Sequence, residues 1–172
     1  HLYDEVLKVP LLMYNFGPSS GDRVSSMVRS IDILPTMLDA VDVPLGSDDE
    51  GVDGVSLEPC LRGDPNAADF PEEAFSATTS YENPDERDIS VISKFSVTRD
   101  SWKLIWDPDA DEVELYDLEA DPDEVDNRST DEEDLTEELL DLLREEMERA
   151  GMQLSESESE TVRDRLENLG YL

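Results

Sequence analysis

Two short apolar segments on either side of an acidic turn constrain the fold of this chain more than any other feature. Residues 102–106 read Trp-Lys-Leu-Ile-Trp, and residues 113–117 read Val-Glu-Leu-Tyr-Asp. The six residues between them include a proline and four acidic residues, which is typical of a turn. The pattern predicts two antiparallel strands joined by a hairpin, with further strands over residues 74–79 and 89–98.

A helix is predicted after the sheet because apolar residues recur on one helical face: Leu135, Leu139, Leu142, Leu143 and Met147. Thr130 and Glu133 have capping-box spacing, and Gly151 is well placed to end the helix. A second short helix is predicted around Leu166. The strand aromatic residues are expected to be core against the first helix, with a carbohydrate platform as the weaker interpretation; they are Phe95, Trp102, Trp106 and Tyr116.

The first third of the chain has a different pattern. Residues 6–16 form a nearly continuous apolar run, which predicts a strand covered on both faces, as in a parallel α/β sheet. A helix is predicted from about Asp32, with Pro35 tolerated in its first turn. Residues 55–61 suit a short apolar turn or helix. The polar, proline-containing residues 64–73 are the best candidate for a domain boundary.

The charge of the chain excludes two classes of partner. With 46 acidic and 13 basic residues, the net charge is −33, so nucleic acid and anionic membranes would be repelled. No segment has the length and apolar character of a membrane span. Because the acidic residues are spread along the whole chain, we interpret them as adaptation to high salt, where self-repulsion is screened. Calcium storage and a disordered acidic tail are the alternatives. A cytoplasmic location in a high-salt organism is favoured, with export left open.

Three potential chemical motifs have simpler interpretations. Cys60 is the only cysteine, so no internal disulfide or zinc cluster can form, and we expect a small buried apolar residue. Residues 107–118 begin like an EF-hand loop but have Glu112 in place of its glycine and Leu118 in place of its glutamate, which favours a solvated turn. Asn127 begins a glycosylation sequon, for which a structural role in the loop is preferred.

Five segments, in order, resemble the sulfatase family. They are L-Y-D-E-V-L-K-V-P-L-L at 2–12, D-I-L-P-T-M-L at 32–38, D-G-V-S-L at 53–57 with L-R-G at 61–63, R-D-S-W-K-L-I with E-L-Y-D-L-E-A-D-P-D-E between 99 and 124, and R-L-E-N-L-G-Y-L at 165–172. Most of these residues determine fold and carry no chemistry. The resemblance implies hydrolysis of sulfate esters by a formylglycine nucleophile with a divalent cation, usually Ca²⁺.

The resemblance also places that chemistry before this chain. Formylglycine matures from C/S-x-P-x-R, and Cys60 lacks the proline and arginine at the required positions. We therefore expect that residues of this chain neither form the nucleophile nor bind the metal. The family's basic residue that contacts the sulfate falls a few positions before Tyr3. His1 lies near that place and is the one candidate for substrate contact, with a pKa suited to a general acid.

The predicted fold is α/β: the end of an alkaline-phosphatase-like sheet domain, followed by a small antiparallel sheet with a C-terminal helix. Residues 1–63 would end the catalytic domain, 64–74 would be a linker, and 75–172 would form the C-terminal subdomain. Because the chain starts at His1 and runs at once into apolar sequence, we expect it to be part of something longer. It would then be the inactive C-terminal portion of a sulfatase that meets its substrate through the catalytic part. The alternative is a free-standing acidic binding or scaffold module derived from a sulfatase.

Overall fold

A computed structural model describes residues 1–14, 26–44, 53–62, 70–82 and 90–151 of the protein. The chain forms two compact units. The first unit consists of His1–Lys8 with Phe75–Leu172, and the second unit is Val9–Ala74. The helices and strands of the described part, in chain order, are α1 Asp4–Leu7, a 3-10 turn Ser30–Asp32, α2 Ile33–Ala40, α3 Glu58–Leu61, β1 Glu73–Glu82, β2 Ser90–Arg99, β3 Trp102–Asp107, β4 Glu112–Asp117 and α4 Glu133–Arg149.

The four strands form one sheet in the order β1-β2-β3-β4, at the positions predicted from the sequence. The two registered pairs are antiparallel: Val97 lies opposite Leu104, and Leu104 lies opposite Leu115. These three residues are completely buried and form the centre of the core. The turn between β3 and β4 is held by Asp107, whose side chain accepts hydrogen bonds from the backbone N–H groups of residues 109 and 110 at 3.1 Å. The acidic 107–112 segment is therefore the predicted hairpin turn.

Helix α4 covers one face of this sheet, as its apolar stripe predicted. Leu139, Leu143 and Met147 are buried against a cluster that the strands supply with Phe95, Val97, Leu104, Trp106 and Leu115. Each such side chain contributes about 1.5–3 kcal/mol when it is removed from water. The Arg144 guanidinium lies 5.3 Å from the Trp106 ring centroid, which adds a cation–π contact at the edge of the cluster.

The sequence predicted the C-terminal end of α4 correctly, but not the capping of its N-terminal end. Gly151 follows the helix with φ +68°, the left-handed conformation that glycine adopts without strain, and so ends it as predicted. The capping box at Thr130 and Glu133 was wrong, because α4 begins at Glu133 after Glu132, and no side chain caps it. Backbone turns from Arg128 to residues 131 and 132 occupy the place where Thr130 would have capped the helix.

The second unit is organised by hydrogen bonds around a buried aspartate. Asp32 accepts from the backbone N–H groups of Arg29 at 2.7 Å and Val55 at 3.0 Å. One turn later, the Thr36 hydroxyl accepts from the backbone N–H of Leu57 at 2.9 Å. Two of the quoted motifs, D-I-L-P-T at residues 32–36 and D-G-V-S-L at residues 53–57, are thus joined side by side. The predicted helix start near Asp32 and the short helix within residues 55–61 are both confirmed.

The strand predicted over residues 6–16 was wrong for its described part, while residues 15 and 16 lie outside the described residues. Helix α1 occupies Asp4–Leu7, and residues 8–14 have no regular structure. A strand needs neighbours that pair with its backbone groups, and the sheet of the described part consists of β1 to β4 alone. The predicted helix around Leu166 also lies outside the described residues.

Candidate functional site

The face of the sheet opposite α4 carries polar residues, and the start of the chain lies across it. Side chains alternate along a strand, so Lys103 and Ile105 point away from the face that α4 covers. Leu2, Ile105 and Tyr116 are buried together there, with Tyr3, Leu7 and Leu118 packed around them. Residues separated by more than 100 positions therefore meet on this polar face of the first unit.

A buried lysine holds two carboxylates on the polar face. The Lys103 ammonium lies 2.9 Å from Oε1 of Glu124, with side chains only 1% and 3% exposed. The same ammonium donates to Oδ1 of Asp4, and the backbone N–H of Asp4 donates to Oε2 of Glu124 at 2.6 Å. We call these three residues the Lys103 clip. Because a buried charge is tolerated only when it is paired, the clip fixes α1 to β3 and to the loop after β4.

The loop after β4 is shaped to deliver Glu124 to the clip. Asp121 accepts from the backbone N–H groups of Val125 and Asp126, both at 2.9 Å, and closes a tight turn. Glu124 lies inside this turn with φ +53°, a left-handed conformation that costs a non-glycine residue about 1–2 kcal/mol. The ion pair with Lys103 is the visible compensation for that backbone strain.

Asn127 anchors the other end of this loop to the edge strand. Its Oδ1 accepts from the backbone N–H groups of Leu115 and Ser129, both at 3.0 Å, and its Nδ2 donates to the Val113 carbonyl at 3.3 Å. The backbone N–H of Arg128 adds a bond to the Leu115 carbonyl at 2.8 Å. The structural role predicted for Asn127 is confirmed, since its amide pairs with β4 as a neighbouring strand would.

Two tyrosine hydroxyls share one carboxylate beside the clip. Tyr3 and Tyr116 each donate to Oε2 of Glu114 at 3.0 Å, and their rings meet edge to face at 6.1 Å. Burial and then the hydrogen bond to the anionic Glu114 raise the pKa of both tyrosines. Both hydroxyls therefore stay protonated near neutral pH and act as hydrogen-bond donors. Of the four strand aromatics predicted to lie against the helix, Tyr116 lies on this opposite face instead.

A cross-strand ion pair completes the polar face. Lys94 Nζ lies 2.9 Å from Oδ2 of Asp107. Burial alone would raise the pKa of Asp107, but hydrogen bonds from Lys94 and from the turn N–H groups outweigh it, so the pKa is lowered. The hydrogen bond with Asp107 raises the pKa of Lys94. Both groups are charged at neutral pH.

His1, the predicted substrate contact, lies at the edge of this polar face. Its exposed ring stacks on Tyr3, with 6.1 Å between ring centroids and 21° between ring planes. Through Tyr3 it adjoins Glu114 and Tyr116. The role of His1 in substrate contact stays a prediction.

The resemblance implies a calcium site in the parent enzyme upstream of this chain, and the carboxylates of the polar face are engaged by other groups. Asp4 and Glu124 are engaged by Lys103, Glu114 by two tyrosines, and Asp107 by Lys94. In the described part of the chain, no group of three or more His, Cys, Asp or Glu side chains is arranged to hold a metal ion. Cys60 lies in α3 and is half-buried, less enclosed than the apolar interior position predicted for it. Through these ion pairs and hydrogen bonds, the polar face holds chain segments to one another.

The Lys103 clip was not predicted from the sequence, although each of its three residues lies in a segment that resembles the sulfatase family. Lys103 lies in W-K-L-I, Asp4 in L-Y-D-E and Glu124 in D-P-D-E. One feature of the sequence could have indicated the clip: a lysine lies between aromatic and aliphatic residues of a predicted strand, although the chain contains only three lysines. A charge at that position needs a partner, which predicts a nearby carboxylate but does not say which one.

Comparison with solved structures identifies the class of protein. A 2-O GAG sulfatase matches with a TM-score of 0.57 and 23% identity, covering 70% of this chain and 24% of that one. A structure in complex with its substrate D-glucosamine-2-N,6-O-disulfate matches with a TM-score of 0.52 and 33% identity, covering 72% of this chain and 25% of that one. The four-stranded antiparallel sheet with its C-terminal helix is thus an α/β fold of the sulfatase class.

The sequence comparisons are more specific. Residues 1–153 match the family model described as N-sulphoglucosamine sulphohydrolase, C-terminal, and the chain belongs to this family. N-acetylglucosamine-6-O-sulfatase of Bacteroides thetaiotaomicron is 33% identical over 129 residues, covering 73% of this chain and 22% of the relative. Human arylsulfatase K is 30% identical over 136 residues, covering 73% and 23%. The chain therefore spans less than a quarter of the length of these relatives.

Proposed function

We propose that this chain is the C-terminal part of a sulfatase whose complete polypeptide hydrolyses sulfate esters. The match of residues 1–153 to a sulfatase C-terminal family is the observation that carries the proposal. The matched region makes up only 22% and 23% of two of these relatives. The rest of their length has room for the catalytic residues. The Lys103 clip and the tyrosine pair would then be the structural frame of the C-terminal region.

The nucleophile and the metal ion are proposed to lie upstream of His1. Sulfatases normally use formylglycine and a divalent cation, and the carboxylates of the polar face, Asp4, Asp107, Glu114 and Glu124, are engaged in ion pairs and hydrogen bonds. His1 is proposed to lie near the substrate, because the family's basic residue that contacts the sulfate falls a few positions before Tyr3. Residues 1–63 are proposed to end the catalytic domain, 64–74 to link, and 75–172 to form the C-terminal subdomain. The compact unit that resumes at Phe75 supports the last of these assignments, and the same unit also includes His1–Lys8.

Sulfated amino sugars are the substrate class to test first. One relative is an N-acetylglucosamine-6-O-sulfatase, and one structural neighbour was solved with D-glucosamine-2-N,6-O-disulfate. The similarity to arylsulfatase K keeps aryl sulfates in the test as a second class. We further propose that the protein works in high salt and does not bind nucleic acid, which the net charge of −33 supports. In the described part of the chain, none of the helices is long and apolar enough to cross a membrane.

The test compares two polypeptides in 3 M KCl: this chain, and the product of the complete reading frame that contains it. Each is incubated with 4-nitrophenyl sulfate and with D-glucosamine-2-N,6-O-disulfate, and released sulfate is measured by ion chromatography. The proposal predicts release by the complete product and none by the 172-residue chain. Release by the 172-residue chain, or inactivity of a complete product that contains formylglycine, would contradict it. A reading frame that starts close to His1 would favour the alternative, an acidic binding or scaffold module.

A further inference from the structure

We propose that Lys103 is a positioning residue for the sulfatase reaction, which acts through Asp4 to hold His1 at a fixed place on the polar face. This inference deepens the proposed function and rests on it, because the task of Lys103 belongs to the hydrolysis proposed for the complete polypeptide. Its basis is the set of contacts that join the first residues of the chain to β3, β4 and the loop after β4.

The two residues that follow His1 are both fixed on the sheet. Leu2 is only 2% exposed and packs with Ile105 and Tyr116. Tyr3 donates its hydroxyl to Oε2 of Glu114 at 3.0 Å, and its ring meets the ring of Tyr116 edge to face. An apolar contact and a hydrogen bond therefore hold two consecutive residues, and both contacts are made to residues of β3 and β4.

Asp4, the next residue, is held by both its side chain and its backbone. Its carboxylate accepts from the buried Lys103 ammonium, and its backbone N–H donates to Oε2 of Glu124 at 2.6 Å. Because Lys103 and Glu124 are almost completely buried, neither can exchange these partners for water without a large cost. The second ion pair of Asp4, with Lys8 at 3.7 Å, involves an 81% exposed side chain and constrains the backbone little. The clip therefore fixes the position of the Asp4 backbone.

His1 differs from the three residues after it, because its side chain is exposed. Its ring stacks on the ring of Tyr3, with centroids 6.1 Å apart and 21° between the planes. The backbone beside His1 is thus fixed by Leu2, Tyr3 and Asp4, and a second ring restricts the direction of the imidazole. A side chain that is exposed but fixed in this way is preorganised to contact a molecule from outside the sheet. The clip supplies the part of this arrangement that depends on Lys103.

Steady-state kinetics of the complete reading-frame product separate positioning from simple stabilisation. Asp4→Ala opens the clip while the buried pair of Lys103 and Glu124 stays in place, and Asp4→Glu is the conservative variant that keeps the carboxylate. Leu139→Ala is the matched control, because it destabilises the same unit from the opposite face of the sheet. Release of sulfate from D-glucosamine-2-N,6-O-disulfate or 4-nitrophenyl sulfate, whichever the unsubstituted product hydrolyses faster, gives kcat and KM in 3 M KCl.

The expected result is a KM at least about fivefold higher in Asp4→Ala, with kcat changed by less than about twofold, because a contact that binds the substrate is displaced. Asp4→Glu should keep KM within about twofold of the unsubstituted product. Leu139→Ala should also leave KM unchanged, since unfolding of a fraction of the enzyme lowers only the apparent kcat. In a His1→Ala background, Asp4→Ala should raise KM by less than about a further twofold, because the two substitutions then remove the same contact.

An unchanged KM in Asp4→Ala, in a complete product that releases sulfate, would overturn the positioning role while the proposed function stands. A rise in KM that persists undiminished in the His1→Ala background would also overturn it, because the clip would then act without His1. A complete product that releases no sulfate would overturn the proposed function. Amide exchange of residues 2–7 in the 172-residue chain is independent of activity and should accelerate at least about tenfold in Asp4→Ala. Equal exchange in the two chains would overturn the hold of the clip on this segment.

Discussion

The ammonium group of Lys103 lies 2.9 Å from the carboxylate of Glu124, and both side chains are almost completely buried. Lys103 is the second residue of β3, and Glu124 occupies a left-handed position in the loop after β4. Asp4, 99 residues before Lys103, binds the same ammonium and also donates its backbone N–H to Glu124. Three segments that look unrelated along the sequence are thus joined at one charge, which attaches the start of the chain to the C-terminal sheet.

Removing the charge of the clip is expected to destabilise the first unit strongly. Lys103→Met leaves the buried Glu124 without its cation and leaves Asp4 with only the exposed Lys8 ammonium at 3.7 Å. Breaking a buried pair in this way costs about 3–5 kcal/mol. Urea denaturation in 3 M KCl, followed by the fluorescence of Trp102 and Trp106, measures the change in free energy of unfolding. Lys8→Met removes the other lysine that faces Asp4, at 3.7 Å; because this side chain is 81% exposed, the change should cost less than about 0.5 kcal/mol. Equal stabilities of the two variants would show that the clip does not hold the unit together.

The tyrosine pair predicts how stability changes at alkaline pH. Because the pKa of Tyr116 is raised in the folded state, its hydroxyl contributes stability below pH about 10, and this contribution is lost as the pH rises above that value. Tyr116→Phe should cost about 1–2 kcal/mol at pH 8, through the lost hydrogen bond to Glu114, and clearly less at pH 11. Urea midpoints at the two pH values measure the difference.

Tyr14→Phe, at a 94% exposed ring, is the control and should have the wild-type midpoint at both pH values. A cost of Tyr116→Phe that is the same at pH 8 and pH 11 would count against the shared Glu114 contact.

Asn127 offers a test of the loop that carries Glu124. Asn127→Ala leaves the buried Leu115 N–H and the Ser129 N–H without their acceptor and should cost about 2–3 kcal/mol. Asn127→Asp keeps the oxygen that accepts both N–H groups, while its second oxygen replaces the donor to the Val113 carbonyl; the variant should be destabilised, but less than Asn127→Ala. Urea denaturation of both variants ranks them, and the reverse order would contradict the assigned acceptor role.

Two glycines should respond differently to the same substitution. At Gly54 a Cβ would lie 2.2 Å from the Ile31 carbonyl oxygen, so Gly54→Ala must displace the backbone beside Asp32. Amide exchange in α2 should accelerate at least about tenfold in this variant. At Gly151 a Cβ would meet no atom within 4 Å, and the change costs only about 1 kcal/mol for the left-handed φ. Unchanged exchange of α2 in Gly54→Ala would contradict the close approach to Ile31.

The elements that were predicted correctly depend on local signals. The 102–106 and 113–117 segments lie on either side of one short turn. This turn sets the register of the two strands, in which Leu104 lies opposite Leu115. Helix α4 follows from the spacing of Leu139, Leu143 and Met147. The clip could not be predicted in this way, because Asp4 and Glu124 are neighbours only after the sheet has formed. The strand predicted over residues 6–16 failed for the same reason: an apolar run becomes a strand only beside a partner.

The acidic surface predicts a salt requirement for folding. Eight acidic residues are exposed along and just before α4: Asp131, Glu133, Asp134, Glu137, Glu138, Asp141, Glu145 and Glu148. Their mutual repulsion acts over a Debye length that falls to about 3 Å in molar salt. The folded fraction, measured by circular dichroism, should therefore be substantially higher in 3 M KCl than in 50 mM KCl. Equal folding at the two concentrations would refute the high-salt interpretation.

The intact mass of the native protein tests the central claim most directly. An antibody raised against Glu133–Arg149 would capture the protein from its source, and mass spectrometry would give the mass of the captured species. If this chain is the C-terminal part of a sulfatase, the species is several times heavier than 19.4 kDa and contains a formylglycine peptide. A native species near 19.4 kDa would contradict the claim and would favour a separate acidic module.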